Sequence, residues 1–181
     1  MVHIFHKRDS ILLINKPVGI PVFPKSGTLE DSLLSRLLAL EPQRSEQDWP
    51  AGFDGGIVHR LDTPTTGGVL VACNDEHVRR VRTLFSQKRL SKRYLFLSAK
   101  EPNWIEHFCA APLAHDRKKK GNMIPKRGKN TPHRGKWYES RTSFRHIIRK
   151  DGLSLWEAKM RTGVMHQIRV HAAFLGIALL G

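Results

Sequence analysis

Cysteine is nearly absent from this chain of 181 residues: Cys73 and Cys109 are the only two. That excludes a disulfide-built scaffold and a four-cysteine zinc site. Neither has the local sequence of a catalytic thiol, and both read as small buried hydrophobes. No apolar run approaches the roughly 20 residues that span a bilayer, and the opening MVHIFHKRDS lacks an apolar signal core. Phosphate-cradling glycine signatures are missing too, both the GxxxxGK[ST] kind and the strand–GxGxxG–helix kind. Ten histidines include no HExxH, and His166 and His171 are five apart, off a common helical face. No metal site is therefore expected. Acid is scarce: 16 Asp+Glu face 31 Lys+Arg, for a formal net charge of +15. Hydrophobic residues make up 40%, enough for a packed core, so a wholly disordered chain is excluded. A cytoplasmic single domain with a polyanionic partner is the first expectation.

The charge sits in one part of the chain. Residues 1–75 carry slightly more acid than base, whereas residues 76–181 hold 24 Lys+Arg against 7 Asp+Glu. Within 117–150 there are 13 basic residues and one acid, Glu139. A charge run is often just a solvated face. Concentration in one region favours an electrostatic footprint for nucleic acid.

Local patterns give more strands than helices. Ile11–Lys16 reads as a strand ended by Pro17 and Gly19. The leucine stripe of 29–40 predicts a core-facing helix begun at Thr28, and 41–56 reads as a loop. Val69–Ala72 predicts a buried strand, and Asn74 caps a helix through Val78, Val81, Leu84 and Phe85. Strands follow at Lys92–Ala99, Trp137–Ile148 and Leu153–Arg161, the last two joined by a Lys150-Asp151-Gly152 turn. A helix over Met165–Leu175 ends at Gly176. Residues 115–136 have no periodicity and read as a mobile basic loop. Strands that follow each other directly predict an α+β fold, a mixed, largely antiparallel sheet with packed helices.

One segment, His59-Arg60-Leu61-Asp62 followed by TPTTGG, places a carboxylate in a loop between apolar stretches. An acid in a basic protein invites a functional reading, although a bare Asp of this kind is more often a turn cap. The segment does not stand alone. HRLDTPTTG resembles the catalytic motif of the RluA family of RNA pseudouridine synthases. INKPVGIPV at 14–22 resembles the family's opening motif, Lys92-Arg93-Tyr94 its Lys-x-Tyr, and RTGVMHQIRVH at 161–171 its TGR-x-HQ-[IL]-R-x-H motif. The four occur in the family's order and cover nearly the whole chain.

The resemblance implies a fold and an activity: the pseudouridine synthase catalytic-domain fold, isomerising uridine in structured rRNA or tRNA without metal or cofactor. Asp62 would be the catalytic carboxylate, adding covalently to sugar or base, or removing the 2′ proton to give a glycal; the residues leave these routes open. Arg169 would supply an ion pair that keeps Asp62 ionised, the plainer alternative being a solvent-facing helix arginine. Tyr94 would stack on the target base; on residues alone it reads as a core tyrosine. Arg60 would fill the gap left by the flipped base. His59, Lys92, His166 and Gln167 lie within the same motifs and would bind substrate. Lys118, Lys119, Arg127 and Arg134 would hold RNA phosphate.

Two departures stand out. Val164 occupies a position where the family has Arg, and the chain stops at Leu180-Gly181, where relatives usually continue. The expectation is a monomeric catalytic domain over 1–181, without a separate N-terminal RNA-binding domain and lacking its usual C-terminal end. The competing readings are an RNA-binding paralogue with weakened or lost activity and a basic structural protein of a ribonucleoprotein particle.

Overall fold

The computed structural model describes residues 3–24 and 30–180. It divides into two compact units, residues 1–87 with one sheet and 88–181 with two, each with its own core. Every strand pair is antiparallel among the described residues. The α+β fold with packed helices is as predicted, but the expected mixed, largely antiparallel sheet is three sheets, antiparallel throughout among the described residues.

In the first unit, β1 (His3–Arg8), β2 (Ile11–Lys16) and β3 (Gly67–Ala72) form one sheet in that order. Alternation in β2 sends Leu12 and Ile14 to one face, where Val69 and Val71 of β3 join them. Helix α1 (Leu33–Leu40) closes this core with Leu33 and Leu37, both fully buried. The helix starts later than its leucine stripe suggested, because Ser32 caps it and exchanges bonds with Ser35. Thr28, expected at its start, lies outside the described residues. Helix α2 (Asp75–Ser86) begins at Asn74, whose side chain accepts the His77 N–H at 3.0 Å, as predicted. Strand β1 was not foreseen: all six of its residues are exposed, so it carries no burial pattern to read.

The second unit holds a four-stranded sheet. Its order is β4 (Lys92–Ser98), β10 (Leu153–Met160), β9 (Thr142–Lys150), β5 (Glu106–Cys109). Phe96, Phe144, Trp156 and Ala158 face inward and meet α3 (Gln167–Phe174) through Ala172 and Ile168. Phe96 and Phe144 meet edge to face at 6.0 Å. Asp151 and Gly152 both take positive φ, 51° and 77°, so the β9–β10 link is the tight turn the sequence suggested. Gly176, at φ 81°, ends α3, after which Leu180 N–H bonds Leu97 O along the edge of β4.

Two expectations change. The single strand over Trp137–Ile148 is two: β8 (His133–Tyr138) and β9 belong to different sheets. Between them Ser140 turns fully inward and donates to Ala111 O at 2.8 Å, which breaks the run. Residues 115–136 are not a plain loop. They contribute to a third sheet, ordered β7 (Met123–Pro125), β6 (Leu113–Asp116), β8. Leu113, Ala114 and Met123 anchor it in the interior. Strands of three to six residues among lysines are too short to show a period. Pro125 fits because β7 is an edge strand.

On the outer face of the four-stranded sheet, Glu157 is 5% exposed and lies 3.0 Å from Arg93, 3.5 Å from Arg145 and 3.9 Å from Lys159. One carboxylate therefore separates three cations that would otherwise repel. Glu157→Gln is expected to lower unfolding stability by ~1–2 kcal/mol, discounted because the cations are half-exposed. Added salt should shrink that loss in urea titrations, since it screens the released repulsion.

Candidate functional site

The loop bearing Asp62 is built from β3 outward. Ile57 bridges Val71, and Val58 N–H bonds Leu70 O at 3.2 Å, so the chain runs beside β3 before leaving it. His59 Nε2 then accepts the Leu70 N–H at 3.0 Å, which puts the imidazole hydrogen on Nδ1. The His59 ring also lies 5.4 Å from that of Phe85. Arg60 is exposed, Leu61 packs on the first unit's core, and Asp62 is half-buried beyond it. Asp62 O accepts the Thr65 N–H at 2.9 Å, closing the turn.

What holds this loop is a residue the sequence did not single out. Lys16, at the end of β2, is fully buried. Its Nζ donates to Pro17 O at 2.8 Å, Ile20 O at 2.7 Å and Thr63 O at 3.1 Å. Thr66 Oγ1 returns a bond to Lys16 O at 2.9 Å, and Gly19 N–H bonds Thr63 O at 3.0 Å. Burial lowers the Lys16 pKa, and the nearby Asp62 carboxylate opposes that shift. Lys16 thus ties the INKPVGIPV turn to the residue after Asp62 and gives Asp62 a cationic neighbour. The signal was present in the motif, but an isolated lysine at a strand end normally reads as solvated.

The second unit places its motif residues around the loop 161–166. Lys92 and Tyr94 stand in β4 opposite Met160 and Ala158. Burial lowers the Lys92 pKa. A Cβ built on Gly163 would lie 2.8 Å from Lys92 Nζ, so a side chain there would displace that ammonium. His166 takes a left-handed backbone, φ 54°, directly before α3. That costs ~1 kcal/mol for a residue with a Cβ and must be held by its surroundings. Gln167 does the holding: Oε1 accepts from Thr162 Oγ1 at 2.8 Å and Val164 N at 3.2 Å. Its Nε2 donates to Arg141 O at 3.0 Å and Thr142 Oγ1 at 2.9 Å. Expected to touch substrate, Gln167 is instead 2% exposed, with its amide spent on the chain itself. One turn later His171, fully buried, sits 2.9 Å from Thr142 Oγ1 and 2.9 Å from Ala111 O. Arg169 is on the same helix, half-buried.

The basic residues fall on the third sheet and its turns. Lys118 and Lys119 are exposed between β6 and β7, where Lys118 N–H caps onto Asp116 Oδ1 at 2.7 Å. Arg127 follows β7, with its guanidinium 5.6 Å from the Phe174 ring. Arg134 lies in β8 opposite His115. Aromatics are interleaved: His133 and Trp137 rings are 4.3 Å apart, and Lys136 lies 5.3 Å over Tyr138. These rings were not singled out, although alternation of bases and aromatics is a readable sign of a stacking surface. Asp62, His59 and Arg60 belong to the first unit; Lys92, Tyr94, His166, Arg169 and the basic sheet belong to the second. Among the described residues no group of three His, Cys, Asp or Glu could hold a metal ion, and no helix is long and apolar enough to cross a membrane.

The RNA pseudouridylate synthase family model matches residues 10–174. The uncharacterized RNA pseudouridine synthase YlyB of Bacillus subtilis is 30% identical over 183 residues, covering 98% of this chain and 55% of that protein. Ribosomal large subunit pseudouridine synthase D of Zymomonas mobilis is 30% identical, covering 99% of this chain and 54% of its own. The chain thus spans about half the length of these relatives. In fold it is similar to the human RNA pseudouridylate synthase domain containing 1 structure, with a TM-score of 0.75 at 20% identity, over 99% of this chain and 67% of that one.

Two measurements check this geometry. Lys16→Met removes the side-chain donor from the Pro17, Ile20 and Thr63 carbonyls, of which Thr63 O keeps the Gly19 N–H, and is expected to cost about 2–3 kcal/mol in urea unfolding. His171 has its pKa lowered from the usual 6.5 by burial, the Ala111 carbonyl opposing. Below about pH 6.5 the unfolded chain takes up a proton that folded His171 refuses, so stability falls with pH down to the lowered native pKa. A His171→Gln variant should show a shallower loss of stability as pH falls below the ordinary imidazole range.

Proposed function

Because the chain belongs to the RNA pseudouridylate synthase family, we propose that it isomerises specific uridines in structured RNA to pseudouridine. The observation that carries this reading is the family match across 10–174, with the HRLD carboxylate on a loop tied down by Lys16. Ribosomal RNA is the favoured substrate, from the names that relatives carry, and tRNA is the alternative. The protein acts in the cytoplasm, as a monomer.

In this reading Asp62 is the catalytic residue. The uridine N1–C1′ bond breaks, the base turns within the site, and C5 bonds C1′. The C5 proton is then lost and N1 regains a hydrogen, so the base leaves as an isomer and no co-reactant is needed. Asp62 assists by covalent addition or by taking the 2′ proton. Arg169 is the motif cation of the reaction, and Tyr94 stacks on the extruded base and assists loss of the C5 proton. Arg60 fills the vacated stack, while His59, Lys92 and His166 line the substrate. Gln167 acts through the loop that presents His166. Lys118, Lys119, Arg127 and Arg134 take RNA phosphates, which makes binding salt-sensitive. Val164 keeps the backbone N–H bond to Gln167 that fastens the loop, and offers RNA no cation where the family motif has Arg.

RNA carrying tritium at uridine C5 tests the proposal. Wild type is expected to release tritium, and Asp62→Ala to lose about a thousandfold or more in rate, roughly 4 kcal/mol of transition-state stabilisation. Equal release by both proteins removes Asp62 from the mechanism. Salt-sensitive RNA binding with no release at all would favour the inactive paralogue.

A further inference from the structure

Helix α2 and strand β1 wall a groove in the first unit that the reaction proposed above does not use. The antiparallel register sets its floor. Leu13 stands between His6 of β1 and Leu70 of β3, and Ile11 lies opposite Arg8, so these side chains share the face opposite the core. Helix α2 crosses that face with Val78 and Val81 buried. Its residues His77, Arg80 and Leu84 recur at helical spacing along the flank beside β1. Between them is a cavity of about 440 Å³, floored by Ile11, Leu13, Leu70, Val81 and Leu84. That volume is within the usual range for a small-ligand site.

The rim decides what fits. It carries Arg8 and Arg80 against one acid, Asp9, whose carboxylate pairs with Arg8 at 3.2 Å, and the His6 and His77 rings lie beside them. An apolar floor under a cationic rim suits a group with a flat apolar body and an anionic edge. A nucleotide within a single strand has this form, its base face apolar and its phosphates spaced along one side. An acidic peptide matches the rim, but its charged side chains would leave the floor uncovered.

We propose that this groove is a second RNA contact, which takes an unpaired nucleotide outside the reacting uridine. The base lies on Leu13 and Leu70, and the flanking phosphates meet Arg8 and Arg80. The proposal rests on RNA being the substrate, and it assigns to the slightly acidic half of the chain a share of the grip otherwise given to the basic sheet. It also explains why Arg80 stands on the open flank of α2, while Arg79 pairs with Asp75 at 2.8 Å.

The test uses a short fluorescein-labelled single-stranded RNA of mixed sequence, and a second copy carrying 4-thiouridine for crosslinking. Arg8→Ala/Arg80→Ala alters two exposed side chains, and a circular-dichroism melt confirms that the variant folds. Loss of two phosphate contacts is expected to make the dependence of log affinity on log salt shallower by about 1.4, from roughly 0.7 per single-strand contact. Crosslinked peptides are expected from β1 and α2. An unchanged salt slope, or crosslinks confined to the second unit, overturns the groove and leaves the isomerase reading intact. Tritium release is measured on the same preparation. Its absence beside groove crosslinks counts against the isomerase and supports the groove. A labelled polyglutamate peptide is the last arm: if the variant loses this peptide while its RNA binding is unchanged, the groove serves an acidic protein and the proposal fails.

Discussion

The ammonium of Lys16 is wholly buried and donates to the carbonyls of Pro17, Ile20 and Thr63, and the position of Asp62 follows from that. Two stretches of chain nearly fifty residues apart are joined at one atom. A buried cation needs its donors satisfied and a counter-charge within reach. Backbone carbonyls supply the first and Asp62 the second. The candidate catalytic carboxylate is thus also part of what makes a buried lysine tolerable, so structure and chemistry draw on the same pair.

The second unit solves the same problem with neutral groups. Gln167 fastens the 161–166 loop from inside, and His171 does the same for the crossing between Ala111 and Thr142. These motif letters are fasteners, buried so that their neighbours can be presented. That division explains how His166 keeps a left-handed backbone that would relax in a free loop. It also separates the residues proposed to meet a substrate, such as Arg60 or Tyr94, from those that hold the loop in place.

The basic region gains meaning from being a sheet. Lysines and arginines on a free loop present charge in no fixed pattern, whereas short strands fix their spacing. Trp137 and Tyr138 sit among those charges with cations over both rings. Stacking rings among fixed cations are the combination that single-stranded RNA binding requires, in keeping with the proposed substrate. The groove beside α2 repeats that combination with aliphatic side chains instead of rings.

Much of this was legible from local pattern. The limits of β2, the cap at Asn74, the Asp151–Gly152 turn and the stop at Gly176 depend on neighbours a few residues away, which is the range over which propensity acts. The charge division and the motif set around Asp62 are likewise properties of the chain itself. What only tertiary structure decided was long-range. Lys16 and Gln167 are polar letters whose burial depends on carbonyls contributed from elsewhere. The break at Ser140 depends on Ala111, and β1 exists because β2 offers it an edge. None of these partners leaves a periodic trace in sequence, since the energy that fixes them is earned by closing distant segments onto each other and not by any residue alone.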